Sequence, residues 1–310
     1  MNVNDLFQNG MARRITTAGA PLLAVAILFV GRNLSLDAAD AHKPDSENDT
    51  NITIVLASDV EWTPLNPARG DKGPKAGTLW GDRAGLGETG FLVKFADGFS
   101  SPPHTHNVTY RGVVISGQIH NDDPEAAEMW MPQGSFWTQP AGEVHITAAS
   151  GTDNMAYIEI ERGPYLVLPT EEATDNGERP INVHQSNIVW LDATHITWIE
   201  RTHPGAEGPE IAFLWGKPEE DEATGTLLKL PAGFRGEIRS GSSFFRSVVI
   251  EGQPSLRGTN ETEAKTLEPG SYFRSKGPSS FHLTNEGDEA TVLYLRTAGS
   301  YTVNPTETTK

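Results

Sequence analysis

The stretch GFSSPPHTHNVTYRGVVISG, residues 98–117, carries two histidines one residue apart between two glycines. The second part of this stretch is rich in Val and Ile and predicts a β-strand. If the histidines also lie on a strand, His104 and His106 project from the same face, because successive side chains alternate. Two imidazoles on an inward face need a polar partner, and a metal ion satisfies both.

A second stretch, GSFWTQPAGEVHITA at residues 134–148, supplies a third ligand. Pro140 and Gly142 predict a turn directly before a strand that carries His145. The chain has no cysteine, so thiolate ligands are excluded. Imidazole suits zinc, copper, iron and nickel better than magnesium or manganese. The three histidines therefore predict one divalent transition metal per chain, with Zn, Fe(II) and Ni as the alternatives.

Composition indicates an all-β fold. The 310 residues include 31 Gly and 21 Pro, with short apolar runs between them. This texture favours many short strands, and no long segment shows helical periodicity. The net charge of −17 repels phosphate backbones, so nucleic acid is not an expected partner.

The chain also repeats itself. GTLWG (77–81) matches AFLWG (212–216), TGFLVKFADGF (89–99) matches TGTLLKLPAGF (224–234), and YRGVVISG (110–117) matches FRSVVIEG (245–252). These pairs occur in the same order, which predicts a tandem duplication of one β module. We place the first module at residues 60–169, a linker at 170–185 and the second module at 186–304. Each module is predicted to form a small antiparallel barrel or a double-sheet jelly roll.

The duplication separates structural features from chemical ones. The glycines, the LWG turn, the Arg111/Arg246 pair and the Lys94/Lys229 pair occur in both copies, so we interpret them as structural. The histidines of the first motif do not: Arg239 and Gly241 stand at their positions in the second copy. His282 keeps the position of His145 without its partners, so no metal is expected in the second module.

The two histidine stretches resemble the two sequence motifs of the cupin superfamily. The residues in register with these motifs are Gly98, His104, His106, Gly117, Gly134, Pro140, Gly142 and His145. From Val60 to Val303 the chain is similar to a bacterial bicupin family of unassigned function, related to the zinc-binding cupin domain of anti-sigma factors. The resemblance implies two tandem cupin domains, each a double-stranded β-helix, that form an intramolecular pair.

Tyr110 departs from the cupin pattern, which usually has a glutamate ligand at this position. Tyr110 is therefore a candidate catalytic residue that ligates the metal or hydrogen-bonds a bound ligand. The alternative is a packing aromatic, like Phe245 in the second copy. Glu159 is a candidate general base if it faces inward, and otherwise a carboxylate at the rim or in solvent. Strand alternation suggests that Trp137, Tyr157 and Phe91 line the substrate cavity.

Two functions fit this pattern. The first is a metal-dependent, dioxygenase-like cupin enzyme (an oxygenase, hydrolase or isomerase) acting on a small polar molecule. The second is a non-catalytic, metal-dependent protein that binds or senses a ligand. A small-molecule partner is expected in both cases, and self-association into a homo-oligomer stays open.

The N-terminus predicts export. Arg13 and Arg14 precede an apolar run at residues 15–30, and small residues follow up to Ala41. This order is typical of a signal peptide over residues 1–41, which would leave a periplasmic or secreted protein without stable membrane insertion. The alternative is an uncleaved membrane anchor at residues 15–30. The polar segment 42–59 is predicted to be a disordered tether.

Overall fold

In the part of the chain that the structure describes, the regular elements are antiparallel strands and one-turn 3-10 helices. The computed structural model describes residues 52–66, 70, 72–201, 207–217, 222–258 and 262–306. The 3-10 turns in this part of the chain are Ala57–Asp59, Thr170–Glu172 and Gln185–Asn187. The strands are β1 (Ile52–Val55), β2 (Thr63–Pro64), β3 (Lys75–Trp80), β4 (Thr89–Phe95), β5 (Thr105–His106), β6 (Tyr110–Asp122), β7 (Met131–Pro132), β8 (Phe136–Gln139), β9 (Ile146–Ile160), β10 (Val167–Leu168), β11 (Ile181–Val183), β12 (Glu210–Trp215), β13 (Ala223–Leu230), β14 (Arg235–Ser240), β15 (Phe244–Glu251), β16 (Ser255–Gly258), β17 (Lys265–Thr266), β18 (Tyr272–Lys276), β19 (Ser279–Thr284), β20 (Thr291–Ala298) and β21 (Tyr301–Pro305).

The predicted all-β class is confirmed. In the first module the main sheet has the order β11-β8-β6-β9-β4-β3-β2, and β7 pairs with β6. The far ends of the long strands β6 and β9, together with the β5–β10 pair, form the opposite wall. In the second module a sheet of order β1-β18-β15-β20-β13-β12 faces a sheet of order β17-β16-β19-β14-β21.

The signal peptide and the alternative anchor, residues 1–41, lie outside the described residues. Within the described part of the chain, no helix is long and apolar enough to cross a membrane. Both modules belong to one compact unit. Their exact boundaries stay a prediction.

The modules exchange their first strands. β1 precedes the first module but pairs with β18 of the second, whereas β11 precedes the second module and pairs with β8 of the first. Residues 52–59 are therefore ordered, and the predicted tether is wrong for this segment. The physical reason is the alternation in ITIVL: Ile52, Ile54 and Leu56 pack against the core of the second module. The polar run before Ile52 obscured this strand in the sequence.

Three hydrophobic cores follow from the strand alternation. Along β4, Phe91 and Val93 point into the barrel of the first module, while Leu92 points into a core that both modules share. The second barrel has its own interior, with aromatic residues such as Phe245 and Phe273. The main sheets are therefore apolar on both faces, which explains why β4 and β13 read as continuous apolar runs.

Reciprocal contacts cross the shared core. The guanidinium of Arg111 lies 3.8 Å from the ring centre of Trp215, and that of Arg246 lies 4.0 Å from the ring centre of Trp80. Each contact joins one module to the other, at matching positions of the repeat. Cation–π attraction between modules thus accounts for an arginine and a tryptophan that both copies keep.

One ion pair in the shared core is asymmetric. Glu159 and Arg296 occupy matching positions in the repeat, are each about 1% exposed, and approach to 3.2 Å. The carboxylate also accepts hydrogen bonds from Tyr157 at 3.1 Å and from Tyr294 at 2.7 Å. Burial alone would lower the pKa of Arg296, but Glu159 and the other acidic groups around it raise it above its ordinary value. Arg296 is therefore a buried cation whose terminal nitrogens donate to Glu159 at 3.2 Å and to Glu88 at 2.6 Å, whereas its Nε makes no hydrogen bond to a described residue.

Removing one partner of this pair should be costly. We expect Arg296→Met to lower the free energy of unfolding by about 3–5 kcal/mol, because Glu159 stays buried without its cation. The double variant Glu159→Gln/Arg296→Met should recover much of this loss. Urea unfolding followed by far-UV circular dichroism measures both, and a loss below about 1 kcal/mol for the single variant contradicts this role.

Strand exchange gives a second expectation. A chain that begins at Ala57 lacks β1 and leaves the edge of β18 unpaired. Amide hydrogen exchange should then accelerate in Tyr272–Lys276, while β8, the matching strand of the first module, keeps its protection. Faster exchange in β8 and unchanged exchange in β18 would contradict the strand pairing described here.

Candidate metal centre

Backbone pairing sets the three histidines side by side. His104 and His145 form an antiparallel bridge, in which each backbone N–H donates to the other residue's carbonyl at 3.0 and 2.9 Å. His106 lies two residues further along, so its side chain shares the face of His104. The backbone N–H of Gly142 donates to the carbonyl of His106 at 2.8 Å and holds the turn before His145 against this strand. The structure therefore brings together all three predicted ligands.

Hydrogen bonds fix the orientation of each imidazole. Nδ1 of His104 lies 2.9 Å from the carbonyl oxygen of Pro102, Nδ1 of His106 lies 2.7 Å from that of Leu166, and Nδ1 of His145 lies 3.3 Å from that of Glu143. A carbonyl oxygen only accepts, so each Nδ1 carries the proton. Nε2 is then the nitrogen through which each ring could bind a metal ion. One potential ligand atom from each histidine lies within 4.8 Å of the other two.

Burial keeps His106 and His145 neutral. His106 is 2% exposed and His145 is fully buried. Burial, together with the neighbouring imidazole of His104, lowers the pKa of His106 to about 3. Burial and the two neighbouring imidazoles also lower the pKa of His145 well below its ordinary value. Neutral imidazole is the form that binds a metal, so protons do not compete for these two ligands near neutral pH.

Tyr110 faces the same point. Its hydroxyl donates to Oδ1 of Asn121 at 2.8 Å and lies 3.3 Å from Nε2 of His145. Asn121 is fixed in turn, since its amide nitrogen donates to Gln139 at 3.0 Å. The proton of Tyr110 is thus directed away from His145, and a lone pair of its oxygen is directed toward Nε2. Burial raises the pKa of Tyr110, so the group is a neutral phenol in the metal-free protein.

Two lone pairs facing each other at 3.3 Å are favourable only around a cation. For bonds of about 2.0–2.1 Å, two ligand atoms on neighbouring vertices of a tetrahedron lie roughly 3.3 Å apart. The donor set therefore fits a divalent metal held by three imidazoles, with the oxygen of Tyr110 beside it.

Tyr165 is a site residue that the sequence analysis missed. Its ring stacks on His106 at 4.5 Å between centres, and its hydroxyl lies 3.2 Å from Nε2 of that histidine. A repeat gives a signal for it: GPYLVLP (163–169) matches GSYTVNP (299–305), which aligns Tyr165 with Tyr301. The sequence analysis interprets residues that occur in both copies as structural, so this repeat assigns Tyr165 to folding and not to the site.

The two tyrosines differ in the partner of the hydroxyl. Tyr301 bonds to Thr226 at 3.0 Å in the second module. The residue at the position of Thr226 in the first module is Phe91, which cannot form that bond but contacts the ring of Tyr165 edge-on at 5.5 Å. The hydroxyl of Tyr165 is therefore directed to the histidines. Phe91, predicted to bind substrate, supports Tyr165 instead and is not among the described residues that line the cavity.

Of the other predicted site residues, Trp137 does line the cavity. Its indole N–H is close enough to Tyr110 to favour the phenolate form, but it makes no hydrogen bond of normal length. Gly112 lies opposite Trp137 on β6, where a Cβ atom would meet the indole at 2.2 Å. The absence of a side chain at this position thus allows the indole to lie over the strand.

The predictions for Glu159 and Tyr157 are wrong. Both side chains lie on the opposite face of β9 from the cavity, in the shared core between the modules. The neighbouring residues Ile158 and Ile160 are the ones that face the barrel interior. Glu159 is therefore neither an inward-facing base nor a rim carboxylate, because Arg296 and two tyrosines surround it.

The cavity beside the histidines has a volume of about 380 Å³. One end is polar, with His104, His106, Tyr110 and Tyr165. Most of the remaining lining is apolar, and the described residues that form it are Leu65, Asn66, Pro74, Val93, Phe95, Phe99, Ser101, Pro102, Trp137, Thr147, Ile158, Leu166 and Val167.

Comparison with known proteins places the chain in a family. A family model for a domain of unknown function, DUF4437, matches residues 53–304, so the chain belongs to that family. No curated protein matches the sequence.

The solved structures that are similar have the cupin fold, which confirms the predicted fold. A candidate dioxygenase from Nostoc punctiforme superposes with a TM-score of 0.59 at 13% identity, covering 80% of this chain and 83% of that one. The protein YlbA from E. coli superposes with a TM-score of 0.54 at 12% identity, covering 80% of this chain and 90% of that one. Lactobacillus farciminis oxalate decarboxylase superposes with a TM-score of 0.52 at 10% identity, covering 80% of this chain and 87% of that one. At these identities the similarity establishes the fold alone, and the resemblance to a bicupin family and to the cupin domain of anti-sigma factors stays a prediction.

The two modules supply a matched test of the metal site. His106→Ala should reduce the bound metal to less than about a tenth of the wild-type content, since two imidazoles rarely hold a divalent ion as tightly as three. His282→Ala changes the histidine at the position of His145 in the second module and should leave the metal content unchanged. Elemental analysis of the purified proteins measures both, and equal losses in the two variants would contradict the assignment.

Proposed function

We propose that this protein is a metal-dependent enzyme that transforms a small molecule in the cavity of its first module. The observation that carries the proposal is the arrangement of the histidines: each Nδ1 is hydrogen-bonded to a backbone carbonyl, and one potential ligand atom of each histidine lies within 4.8 Å of the other two. Three neutral ligands leave the charge of a divalent cation uncompensated and leave coordination positions open. A site that only stabilised the fold would more often be closed by a fourth protein ligand.

A metal at this site would polarise an oxygen atom of the substrate. The chain's own residues would then position the substrate. When Nε2 of His106 is occupied, the hydroxyl of Tyr165 loses its acceptor and can donate to an oxygen held beside it. The oxygen of Tyr110, whose proton is donated in a hydrogen bond to Asn121, can act as a ligand or accept a hydrogen bond from the substrate.

The apolar walls of the cavity limit the number of water molecules around the reacting groups, which strengthens these interactions. Among enzyme classes we favour an oxygenase, because a site of three imidazoles with adjacent open positions has room for a substrate and a second small ligand. Zn, Fe(II) and Ni all suit the imidazole ligands.

Tyr165 provides a sharp test. Tyr165→Phe should retain its metal and lower kcat by about tenfold to a hundredfold, because one hydrogen-bond donor to the reacting oxygen is lost. Tyr301→Phe is the matched control in the second module and should keep wild-type turnover. A Tyr165→Phe enzyme with unchanged kcat would assign this tyrosine to packing only.

The activity itself is tested with the Fe(II)-loaded and Zn-loaded proteins. Each is incubated with a panel of small carbonyl, enol and phenol compounds, while oxygen consumption and product mass are recorded. We expect at least one compound to be converted by the wild-type protein and by His282→Ala, and not by His106→Ala. Tight binding without any product would instead support a ligand-binding or sensing protein, and turnover that survives metal loss would contradict the proposed site.

We also propose that the enzyme acts outside the cytoplasm, on the basis of the signal-like segment at residues 1–41. N-terminal sequencing of the exported protein should give His42 as the first residue. A first residue upstream of Ile15 would contradict cleavage and support an anchor.

A further inference from the structure

We propose that the cavity selects a molecule with an apolar body and one oxygen-bearing head group, in place of the small polar substrate expected from the sequence. This inference deepens the proposed function and rests on it for the position of the head group. The cavity is divided: its histidines and tyrosine hydroxyls lie at one end, and its aromatic and aliphatic side chains form the walls.

Charge argues against a polyanionic substrate. None of the described lining residues is an Asp, Glu, Lys or Arg. Arg83 lies over the ring of Phe91 at 5.8 Å, but its guanidinium donates to Thr78 at 3.0 Å and to Thr63 at 2.8 Å. A second carboxylate on the substrate would therefore be transferred from water to apolar walls without a cation to pair with it, which is unfavourable.

The walls favour an apolar body. Val93 and Ile158 are buried in the barrel interior, and Phe95 and Phe99 contact each other at 5.5 Å between ring centres. Apolar side chains also reach the exterior beside the cavity, where Leu166 is 44% exposed and Val167 is 63% exposed. A ligand that covers this surface gains free energy in proportion to the apolar area that it removes from water.

Two hydrogen-bond donors of the described lining lie at the polar end. The indole N–H of Trp137 is buried without a hydrogen bond of normal length, and the hydroxyl of Tyr165 has Nε2 of His106 as its acceptor. An oxygen atom of a metal-bound head group would accept from both donors. A carboxylate, hydroxamate, enol or phenol offers such an oxygen, and its apolar part would then lie along Phe95, Phe99 and Ile158.

Calorimetric titration of the Zn-loaded protein tests this without turnover. Benzohydroxamate and acetohydroxamate share a head group and differ in their apolar body, whereas phenylacetate and phenylmalonate share a body and differ by one charge. We expect benzohydroxamate to bind at least about tenfold more tightly than acetohydroxamate, and phenylacetate at least about tenfold more tightly than phenylmalonate. Phe99→Ala should reduce the ratio of the benzohydroxamate affinity to the acetohydroxamate affinity by about threefold or more. Phe213→Ala, on the second module, should not change this ratio.

The outcomes separate this inference from the proposed function. If the Zn-loaded protein binds the hydroxamates in a His106-dependent manner but without preference for the phenyl ring, or prefers phenylmalonate, the substrate class is wrong and the metal site stands. If His106→Ala binds benzohydroxamate as well as the wild type does, the metal-centred function itself is wrong. Absence of binding for both aromatic ligands overturns the inference as well.

Discussion

The candidate site depends on hydrogen bonds that three imidazole rings make on their far side. Each Nδ1 donates to a backbone carbonyl, from Pro102, Leu166 or Glu143. These bonds set the tautomer and the ring plane before any ion binds, so that Nε2 of each ring is oriented toward one volume. The His104–His145 bridge in the backbone then fixes the spacing. A metal site built in this way requires little reorganisation, because its ligands are held in place by the barrel wall itself.

The duplication explains how the chain can vary one module and keep the other. The contacts that join the modules are reciprocal, with Arg111 on Trp215 and Arg246 on Trp80, and each module supplies a strand to the other. These contacts do not involve the side chains in the interior of either barrel. The second barrel is filled by Phe245, Phe273 and Phe281, and at the positions of Phe245 and Phe273 the first module has Tyr110 and Trp137. The interior of the second barrel is thus packed with aromatic rings, whereas the first retains a cavity beside its histidines.

Much of the fold and part of the site could be predicted from the sequence. The histidines were found because a paired motif with fixed spacing reports which side chains share a face. Tyr165 was missed because its role depends on Phe91, which is distant in sequence. Phe91 cannot form a hydrogen bond with the Tyr165 hydroxyl, whereas Thr226 forms one with the hydroxyl of Tyr301. Glu159 and Tyr157 were misplaced because β9 is apolar on both faces. The alternation of side chains along this strand therefore does not show which face points into the barrel. The exchange of β1 and β11 was not predictable either, since strand pairing partners leave no local signal in a single sequence.

X-ray absorption spectroscopy of the metal-loaded wild-type protein tests the central claim most directly. The account predicts a first shell with three imidazole nitrogens at about 2.0–2.1 Å, together with the multiple-scattering pattern of oriented rings and at least one oxygen ligand. A spectrum with only one imidazole, or with oxygen ligands alone, would show that the three rings do not share an ion and would contradict the account.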